Sequence, residues 1–214
     1  MGGTIVDTEP YWMAAEIELV ESFGGSWTHD DAIGMVGQGL DFTAAALRSH
    51  GVDLADEQIV LSLTGRVIEQ VREHVPWRPG AYELLSELRG AGVKTALVTM
   101  SWRNLAEFVV EAIETAGLAT PFDAIVSGDD VENAKPHPEP YLRAAELLGV
   151  AITDCVAIED STPGLASAVA SGAVAIAVPH VVPIAAAPEH ISWPSLDGRT
   201  VADLVAAFES ERQS

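Results

Sequence analysis

The feature that most constrains the fold is a regular alternation of short apolar runs and amphipathic segments that begins after Pro79-Gly80. We predict strands and helices that follow one another at 93–99, 102–116, 124–126, 139–148, 155–158, 162–170 and 174–178, starting with a strand. The strands are apolar along their whole length, which indicates a parallel sheet with helices on both faces. This part of the chain is therefore predicted to be an open α/β domain.

The section before it has a different pattern. Between about Tyr11 and Val75, apolar residues recur at the three-and-four spacing of an amphipathic helix, as in Ile59, Leu63 and Val67. Glycine-rich breaks divide this section, so we predict about four helices in a compact bundle.

The charge of the chain restricts its partners. The formal net charge is -21, which repels nucleic-acid phosphates and anionic membrane surfaces. We therefore expect no nucleic acid and no membrane among the partners. An anionic substrate would need a few local donors and a cation, because the overall field opposes its binding.

The single cysteine, Cys155, stands in an apolar run, and we interpret it as a buried structural thiol rather than a nucleophile. A reducing cytoplasm fits one unpaired cysteine, since an internal disulfide needs two. No apolar stretch is long and continuous enough for a membrane span. We expect a cytoplasmic protein that is a monomer or a weak dimer.

Polar residues follow the predicted strands at the edge where open parallel sheets bind ligands. Thr99 and Ser101 follow the first strand and could bind a phosphate oxygen, although Ser101 could equally cap the next helix. Lys135 stands in a proline-flanked loop, where a fixed ammonium suits a phosphate and an attacking carboxylate, whereas an isolated lysine is usually solvated.

Two adjacent carboxylates, Glu159 and Asp160, follow the strand predicted at 155–158. Oxygen ligands of this kind suit Mg²⁺, which keeps waters or substrate oxygens in its shell. The alternative is that Asp160 or Ser161 caps the following helix and Glu159 is solvated. Near the start of the chain, Asp7 and Thr8 are predicted to cap the first helix.

Taken in order, these segments resemble the haloacid-dehalogenase-like (HAD) hydrolases, in particular the subfamily of β-phosphoglucomutase and phosphoglycolate phosphatase. Residues 3–10 are similar to the end of the family's first motif, Asp-x-Asp-Gly-Thr followed by an apolar pair and Asp-Ser/Thr-Glu. Thr99 resembles the second motif, Lys135 with Pro136 and Pro138 the third, and Glu159-Asp160-Ser161 with Gly164 the fourth.

The resemblance implies an α/β fold with a Rossmann-like parallel sheet core (residues 1–10 and 79–214) and an inserted α-helical cap domain (residues 11–78). It implies a phosphatase that acts on a small phosphorylated metabolite through an aspartyl-phosphate. In such enzymes one aspartate attacks phosphorus and a second serves as acid and base, while Mg²⁺ neutralises charge. Thr99, Ser101 and Lys135 would bind phosphate, Arg103 is a further candidate, and Glu159 and Asp160 would hold the metal.

The sequence departs from the family at its start. Aligned on Gly3-Thr4, Gly2 occupies the place of the second aspartate, and the nucleophile's position precedes residue 1. The family's first strand would also lie upstream, and without it the sheet would have two unpaired edges and an apolar slot. We expect an apolar strand ending in Asp before Met1, although no extension explains Gly2.

Other readings remain open. A catalytically inactive protein could keep the same residues as a phosphate or magnesium site. A dehalogenase is a third alternative, but it is disfavoured because its chemistry would not need the metal site of Glu159 and Asp160. A mutase is disfavoured because the cap loop Gly37-Gln38-Gly39-Leu40 has no basic residue for a second phosphate. Trp12, Gln38 and Trp102 could face a substrate, although a packed position is commoner for tryptophan.

Overall fold

The computed structural model describes residues 1–35 and 40–212, and the chain forms two compact units. One unit contains Met1–Asp7 and the chain from Trp77 onwards, and the other runs from Thr8 to Pro76. The limits expected for a core and a cap, after residue 10 and before residue 79, differ slightly from these and stay predictions. The loop of Gly37, Gln38 and Gly39 lies outside the described residues.

The second unit is helical throughout its described part, as its periodicity predicts. Its helices are α1 (Glu9–Ser22), α2 (His29–Ile33), α3 (Leu40–Ser49) and α4 (Asp56–Glu73). α4 packs against α1 and α3 with the predicted apolar face, because Ile59, Leu63 and Val67 are fully buried.

The predicted cap of α1 is wrong in its chemistry. Thr8 stands at the N-cap position, but its side chain makes no capping hydrogen bond. The helix begins with Pro10 in its first turn instead, where the missing N–H of proline costs nothing. By contrast, Thr28 and Asp31 form a reciprocal capping box at the start of α2.

The first unit alternates strands with helices. In chain order its elements are α5 (Ala81–Gly90), β1 (Ala96–Val98), α6 (Arg103–Thr115), β2 (Ala124–Val126), α7 (Glu139–Leu148), β3 (Val156–Glu159), α8 (Thr162–Ser171), β4 (Val174–Ala177), β5 (Ile191–Ser192) and α9 (Val201–Arg212). Each predicted strand and helix of this section is present, with ends shifted by a few residues at most. The alternation therefore identifies the α/β architecture correctly.

The strands pair in parallel, but in two groups. β1 pairs with β2, with Leu97 opposite Ile125. β3 pairs with β4, with Ile158 opposite Ile176, and β4 pairs with β5. The described strands thus form a two-stranded and a three-stranded sheet instead of one continuous sheet, and the interruption lies between β1 and β3.

Helices cover both faces of these strands. Alternate residues of β4 point to opposite sides: Ile176 joins a cluster with α5 and α9, and Ala175 joins a cluster with α7 and α8. This alternation follows from the two-residue period of a strand. The fold is an α/β fold with a Rossmann-like parallel core and helices on both faces.

Three local expectations change in the structure. β1 is shorter than the predicted 93–99, because the N–H of Thr95 donates to the carboxylate of Asp123 instead of joining the strand ladder. Cys155 is only half-buried, since it precedes β3 at the end of a 3₁₀ turn, and its thiol donates to the carbonyl of Ala151. Trp102 is 60 % exposed and therefore not packed.

Among the described residues, no helix combines the length and the apolar character needed to cross a bilayer.

Candidate active site

The carboxyl ends of β1 and β3 bring three of the predicted residues together. The Lys135 ammonium donates to the backbone oxygen of Val98 at 3.1 Å and to Oε1 of Glu159 at 2.5 Å. Thr99 follows Val98 directly and is 5 % exposed. Lys135 is therefore a buried charge held at the strand ends, and the reading of it as a solvated surface lysine is wrong.

Glu159 is the buried partner of this lysine. Oε1 also accepts a hydrogen bond from the Tyr141 hydroxyl at 2.5 Å, and Oε2 accepts one from Ser161 at 3.1 Å. Burial alone would raise the pKa of Glu159, but the charge and hydrogen bond of Lys135 and the hydrogen bond from Tyr141 hold that pKa below its ordinary value. Glu159 is thus an anion with donors on both oxygens, which contradicts the solvated alternative.

Tyr141 was not predicted to belong to the site. Burial, together with the negative charge of Glu159, raises the pKa of the Tyr141 phenol well above its ordinary value, so the hydroxyl stays a neutral donor. The Lys135 ammonium lies 5.0 Å from the centre of its ring, which adds a cation–π contact. The sequence feature that could have identified Tyr141 is its place in the first turn of the helix that follows Pro138.

The loop that carries Lys135 is fixed by hydrogen bonds at both sides. The Glu139 carboxylate accepts from the backbone N–H groups of Glu132 and Asn133 at 2.7 and 3.0 Å. The backbone oxygen of His137 accepts from the buried Ser167 hydroxyl at 2.6 Å. These contacts hold the backbone around Lys135 in place. Placing the ammonium at the site therefore costs little further conformational entropy.

The loop after β1 is tied to the loop after β2. Oγ1 of Thr99 accepts from the N–H of Ser101 at 3.1 Å, and the N–H of Gly128 donates to the Ser101 carbonyl at 3.0 Å. A Cβ atom at Gly128 would lie 2.5 Å from the Met100 oxygen, so only glycine fits this approach. The result is a fixed turn that presents Thr99 and Ser101 at the end of β1.

Ser101 does not cap α6, so that alternative is wrong. Trp102 occupies the N-cap position, and the carboxylate of Asp129 accepts from the N–H of Arg103 at 2.8 Å. Arg103 itself binds the Asp130 carboxylate and the backbone oxygen of Ile125. Although burial opposes ionisation, the hydrogen bonds from Arg103 and Ser127 lower the pKa of Asp130 to about 2. Arg103 therefore forms an ion pair with this aspartate, and its place in a phosphate pocket stays a prediction.

Asp160 lies against the beginning of the chain. Its Oδ1 accepts from the Thr4 hydroxyl at 2.6 Å, and a Cβ atom on Gly3 would lie 2.1 Å from Oδ2. Gly3 also has a φ of +83°, which glycine adopts without strain. The Gly3-Thr4 segment thus positions Asp160, and the carboxylate does not cap α8, which Ser161 caps instead.

The two carboxylates differ in how well they fit a metal ion. In the part of the chain that the structure describes, no three Asp, Glu, His or Cys side chains form a cluster that could hold a metal. Asp160 fits a single carboxylate ligand, since Thr4 uses only one of its oxygens, and Mg²⁺ can complete its shell with waters and substrate oxygens. Glu159 fits less well, because donors already occupy both of its oxygens.

The chain resembles known proteins over most of its length. The model of the family described as "Haloacid dehalogenase-like hydrolase" matches residues 1–178. Hexitol phosphatase B of Escherichia coli (strain K12) is 30% identical over 184 residues, which cover 84% of this chain and 81% of that protein. A phosphorylated carbohydrates phosphatase of Thermotoga maritima is 31% identical over 176 residues, covering 80% of this chain and 79% of that one.

A solved structure agrees with these sequence matches. The crystal structure of CbbY from Rhodobacter sphaeroides in complex with phosphate superposes with a TM-score of 0.78 at 26% identity, and 96% of each chain is covered. The two sequence relatives are both named as phosphatases. The family match, these relatives and the superposition lead to one conclusion: the chain belongs to the haloacid dehalogenase-like hydrolases.

Proposed function

We propose that this protein is a magnesium-dependent phosphatase that hydrolyses a monoester of a small phosphorylated carbohydrate. The observation that carries the proposal is the Lys135 ammonium, 2.5 Å from Glu159 and 3.1 Å from the Val98 oxygen, beside the buried Thr99. Hexitol phosphatase B and the carbohydrate phosphatase of Thermotoga maritima support this substrate class, because both are named for such esters.

Phosphate recognition follows from the donors that remain. An ammonium has three N–H donors, and the contacts of Lys135 within the described residues use two of them. The third can donate to a phosphate oxygen. The Thr99 hydroxyl accepts from the Ser101 N–H, which leaves its proton for the same ligand, and the Ser101 hydroxyl is the next donor along the loop. Charge-assisted and neutral donors would thus hold one phosphoryl group.

We assign Asp160 as the carboxylate that would hold Mg²⁺, with Glu159 positioning Lys135. When bound, the ion would offset phosphate charge as a Lewis acid. The role of Thr4 would be to orient Asp160, through its 2.6 Å hydrogen bond to Oδ1. This assignment gives the two carboxylates different roles, whereas the sequence alone suggested that both bind the metal.

Hydrolysis through an aspartyl-phosphate also requires the two aspartates of the family's first motif. Gly2 stands at the place of the family's second aspartate and has no carboxylate, and general acid–base help is worth about 10²–10⁴-fold. This fact favours the second candidate, a protein that binds phosphate and Mg²⁺ through Thr99, Lys135 and Asp160 without turnover. The half-buried, unpaired Cys155 suits either candidate in a reducing compartment such as the cytoplasm.

Release of p-nitrophenol from p-nitrophenyl phosphate, with and without Mg²⁺, separates the two candidates. We expect little turnover from the unchanged chain, because Gly2 supplies no acid or base. We expect a gain of about 10²-fold or more from a variant with Gly2→Asp and an apolar strand ending in Asp joined to Met1. If this variant binds phosphate but does not turn over, the inactive candidate is the correct one.

The matched control is Lys135→Met with Glu159→Gln in the same extended background. The pair is changed together because a lone Glu159 would leave an unpaired buried charge. Loss of turnover by about 10²-fold with an unchanged fold would support the role of Lys135. Unchanged turnover in this control would remove the phosphate site described above.

A further inference from the structure

Two loops meet at the carboxyl ends of β1 and β2. The loop after β1 contains Thr99 and Ser101, the two hydroxyl donors of the proposed phosphate site, and leads directly into α6. The loop after β2 is a 3₁₀ turn, Gly128–Asp130, preceded by the fully buried Ser127. Contacts between these loops therefore determine where the phosphate donors lie.

The turn after β2 holds the end of the first loop by its backbone. The N–H of Gly128 donates to the Ser101 oxygen at 3.0 Å. One residue further, the Asp129 carboxylate accepts from the N–H of Arg103 at 2.8 Å. Both bonds act on the residues that join the phosphate-binding loop to the helix, so they restrain that junction.

The side chain of Arg103 adds a third connection between the two loops. Its Nε donates to Oδ1 of Asp130 at 3.2 Å, and one terminal nitrogen donates to Oδ2 of the same carboxylate. That nitrogen also donates to the Ile125 oxygen at 3.0 Å, and the other terminal nitrogen donates to Glu107 at 3.4 Å. Within the described residues, these bonds take four of the five side-chain N–H donors of the arginine. Most of its donors therefore bind protein acceptors.

Asp130 is held in turn by Ser127. Its Oδ2 accepts from the backbone N–H of Ser127 at 2.7 Å and from the hydroxyl of the same residue. A carboxylate that is fixed in this way and binds an arginine through both oxygens restricts the arginine side chain. The two side chains of the ion pair, Arg103 and Asp130, are 36% and 28% exposed, and pairs at such exposure add little to global stability. The effect is therefore expected on the loop rather than on the fold.

The loop after β1 also contacts the loop of Lys135. Sδ of Met100 accepts from the backbone N–H of Lys135 at 3.4 Å. Met100 lies between Thr99 and Ser101, so a shift of this loop would change its contact with the third phosphate donor as well. The three donors thus depend on one arrangement of the loop.

We propose that Arg103 and Asp130 are positioning residues that hold Thr99 and Ser101 in the observed turn and thereby set the affinity for phosphate. Neither of the two charged side chains contacts the phosphoryl group. Asp130 fixes Arg103, and Arg103, as the first residue of α6, fixes the end of the loop that carries the two hydroxyls. The inference rests on the proposed phosphate site, whereas the restraint of the loop requires no turnover.

The test measures the loop and the ligand separately. Hydrogen exchange of the Ser101 amide, which donates to Oγ1 of Thr99, reports the restraint. Isothermal titration calorimetry with inorganic phosphate in the presence of Mg²⁺ reports the site. The variants are Asp130→Asn and Arg103→Met, singly and together, and Asp123→Asn is the matched control.

The control removes an ion pair of the same kind at the opposite end of the same strands. The Asp123 carboxylate accepts from Arg89 at 2.6 Å and from the N–H of Thr95 at 2.8 Å, just before β1. We expect Asp123→Asn to leave the exchange of the Ser101 amide and the phosphate affinity within about twofold of the unchanged chain, because the sites are independent.

We expect Asp130→Asn and Arg103→Met each to speed exchange of the Ser101 amide by about tenfold. Each should also weaken phosphate binding by about tenfold. The double variant should be no worse than either single one, because both changes break the same connection.

Stronger phosphate binding by Asp130→Asn would overturn the proposal, since it would mean that a released Arg103 binds phosphate itself. Unchanged exchange and unchanged binding in both single variants would overturn it as well. If exchange of the Ser101 amide follows the expected pattern but no chain binds phosphate, the restraint of the loop stands and the proposed phosphate site, with the role of the pair in binding, is wrong.

Discussion

Glu16 is a buried carboxyl group in α1 that the proposed chemistry does not use. It is 4% exposed, and its Oε2 accepts a hydrogen bond from the indole N–H of Trp27 at 3.2 Å. Burial, with a smaller contribution from the charge of Glu9, raises the pKa of Glu16 from 4.5 to about 7, although the Trp27 hydrogen bond opposes this rise. Folding therefore favours the protonated form.

The stability consequence follows from this direction. A group whose pKa is higher in the folded state contributes stability that is fully present below pH 4.5 and is lost as the pH rises through about 7. This change in the pKa of Glu16 corresponds to roughly 3 kcal/mol at alkaline pH, at about 1.4 kcal/mol per unit. Glu16→Gln keeps an acceptor for Trp27 and removes the charge, so we expect it to abolish this loss.

The measurement is urea unfolding followed by tryptophan fluorescence at about pH 5.5 and 8.5. We expect the advantage of Glu16→Gln over the unchanged chain to grow by about 2 kcal/mol between these pH values. Glu21→Gln, an exposed site on the same helix, is the matched control and should show no such growth. A pH-independent difference for Glu16→Gln would refute the assignment of a raised pKa to this group.

Two further predictions concern the site. Lys135→Met should lower the free energy of unfolding by about 3 kcal/mol because it leaves Glu159 charged and unpaired, and adding Glu159→Gln should recover much of this loss in urea unfolding. Gly3→Ala should destabilise by at least about 2 kcal/mol, since its Cβ would lie 2.1 Å from Asp160 Oδ2. Gly92→Ala is the control in thermal unfolding: φ is +70°, but nothing lies within 4 Å of its Cβ, so only about 1 kcal/mol should be lost.

The order of elements was predictable because it depends on local periodicity. Apolar runs such as 124–126, and the amphipathic helix at 139–148, have the predicted bounds. Ends that depend on distant side chains were not predictable: β1 stops short because the Asp123 carboxylate takes the N–H of Thr95. The half-burial of Cys155 likewise depends on the 3₁₀ turn that precedes it, which the apolar run around this residue does not indicate.

The convergence of three predicted residues could be anticipated from the sequence, but their contacts could not. Thr99, Lys135 and Glu159 each follow or precede regular elements, so the topology of a parallel sheet brings them to one edge. The pairing of Lys135 with Glu159, and the hydroxyl of Tyr141 on the same carboxylate, depend on three-dimensional packing. The sequence therefore suggested two metal ligands, whereas we propose one metal ligand and one anchor for the lysine.

This distinction supports the proposed cation at the site. Glu159 neutralises Lys135 at 2.5 Å, so the pair presents little net positive charge to an approaching phosphate. The chain as a whole carries a net charge of -21, which adds repulsion. Neutral donors such as Thr99 and Ser101 orient an anion but do not offset its charge. A divalent ion beside Asp160 would supply that missing charge, and a lysine fixed by Glu159 would then fix the geometry of phosphate binding.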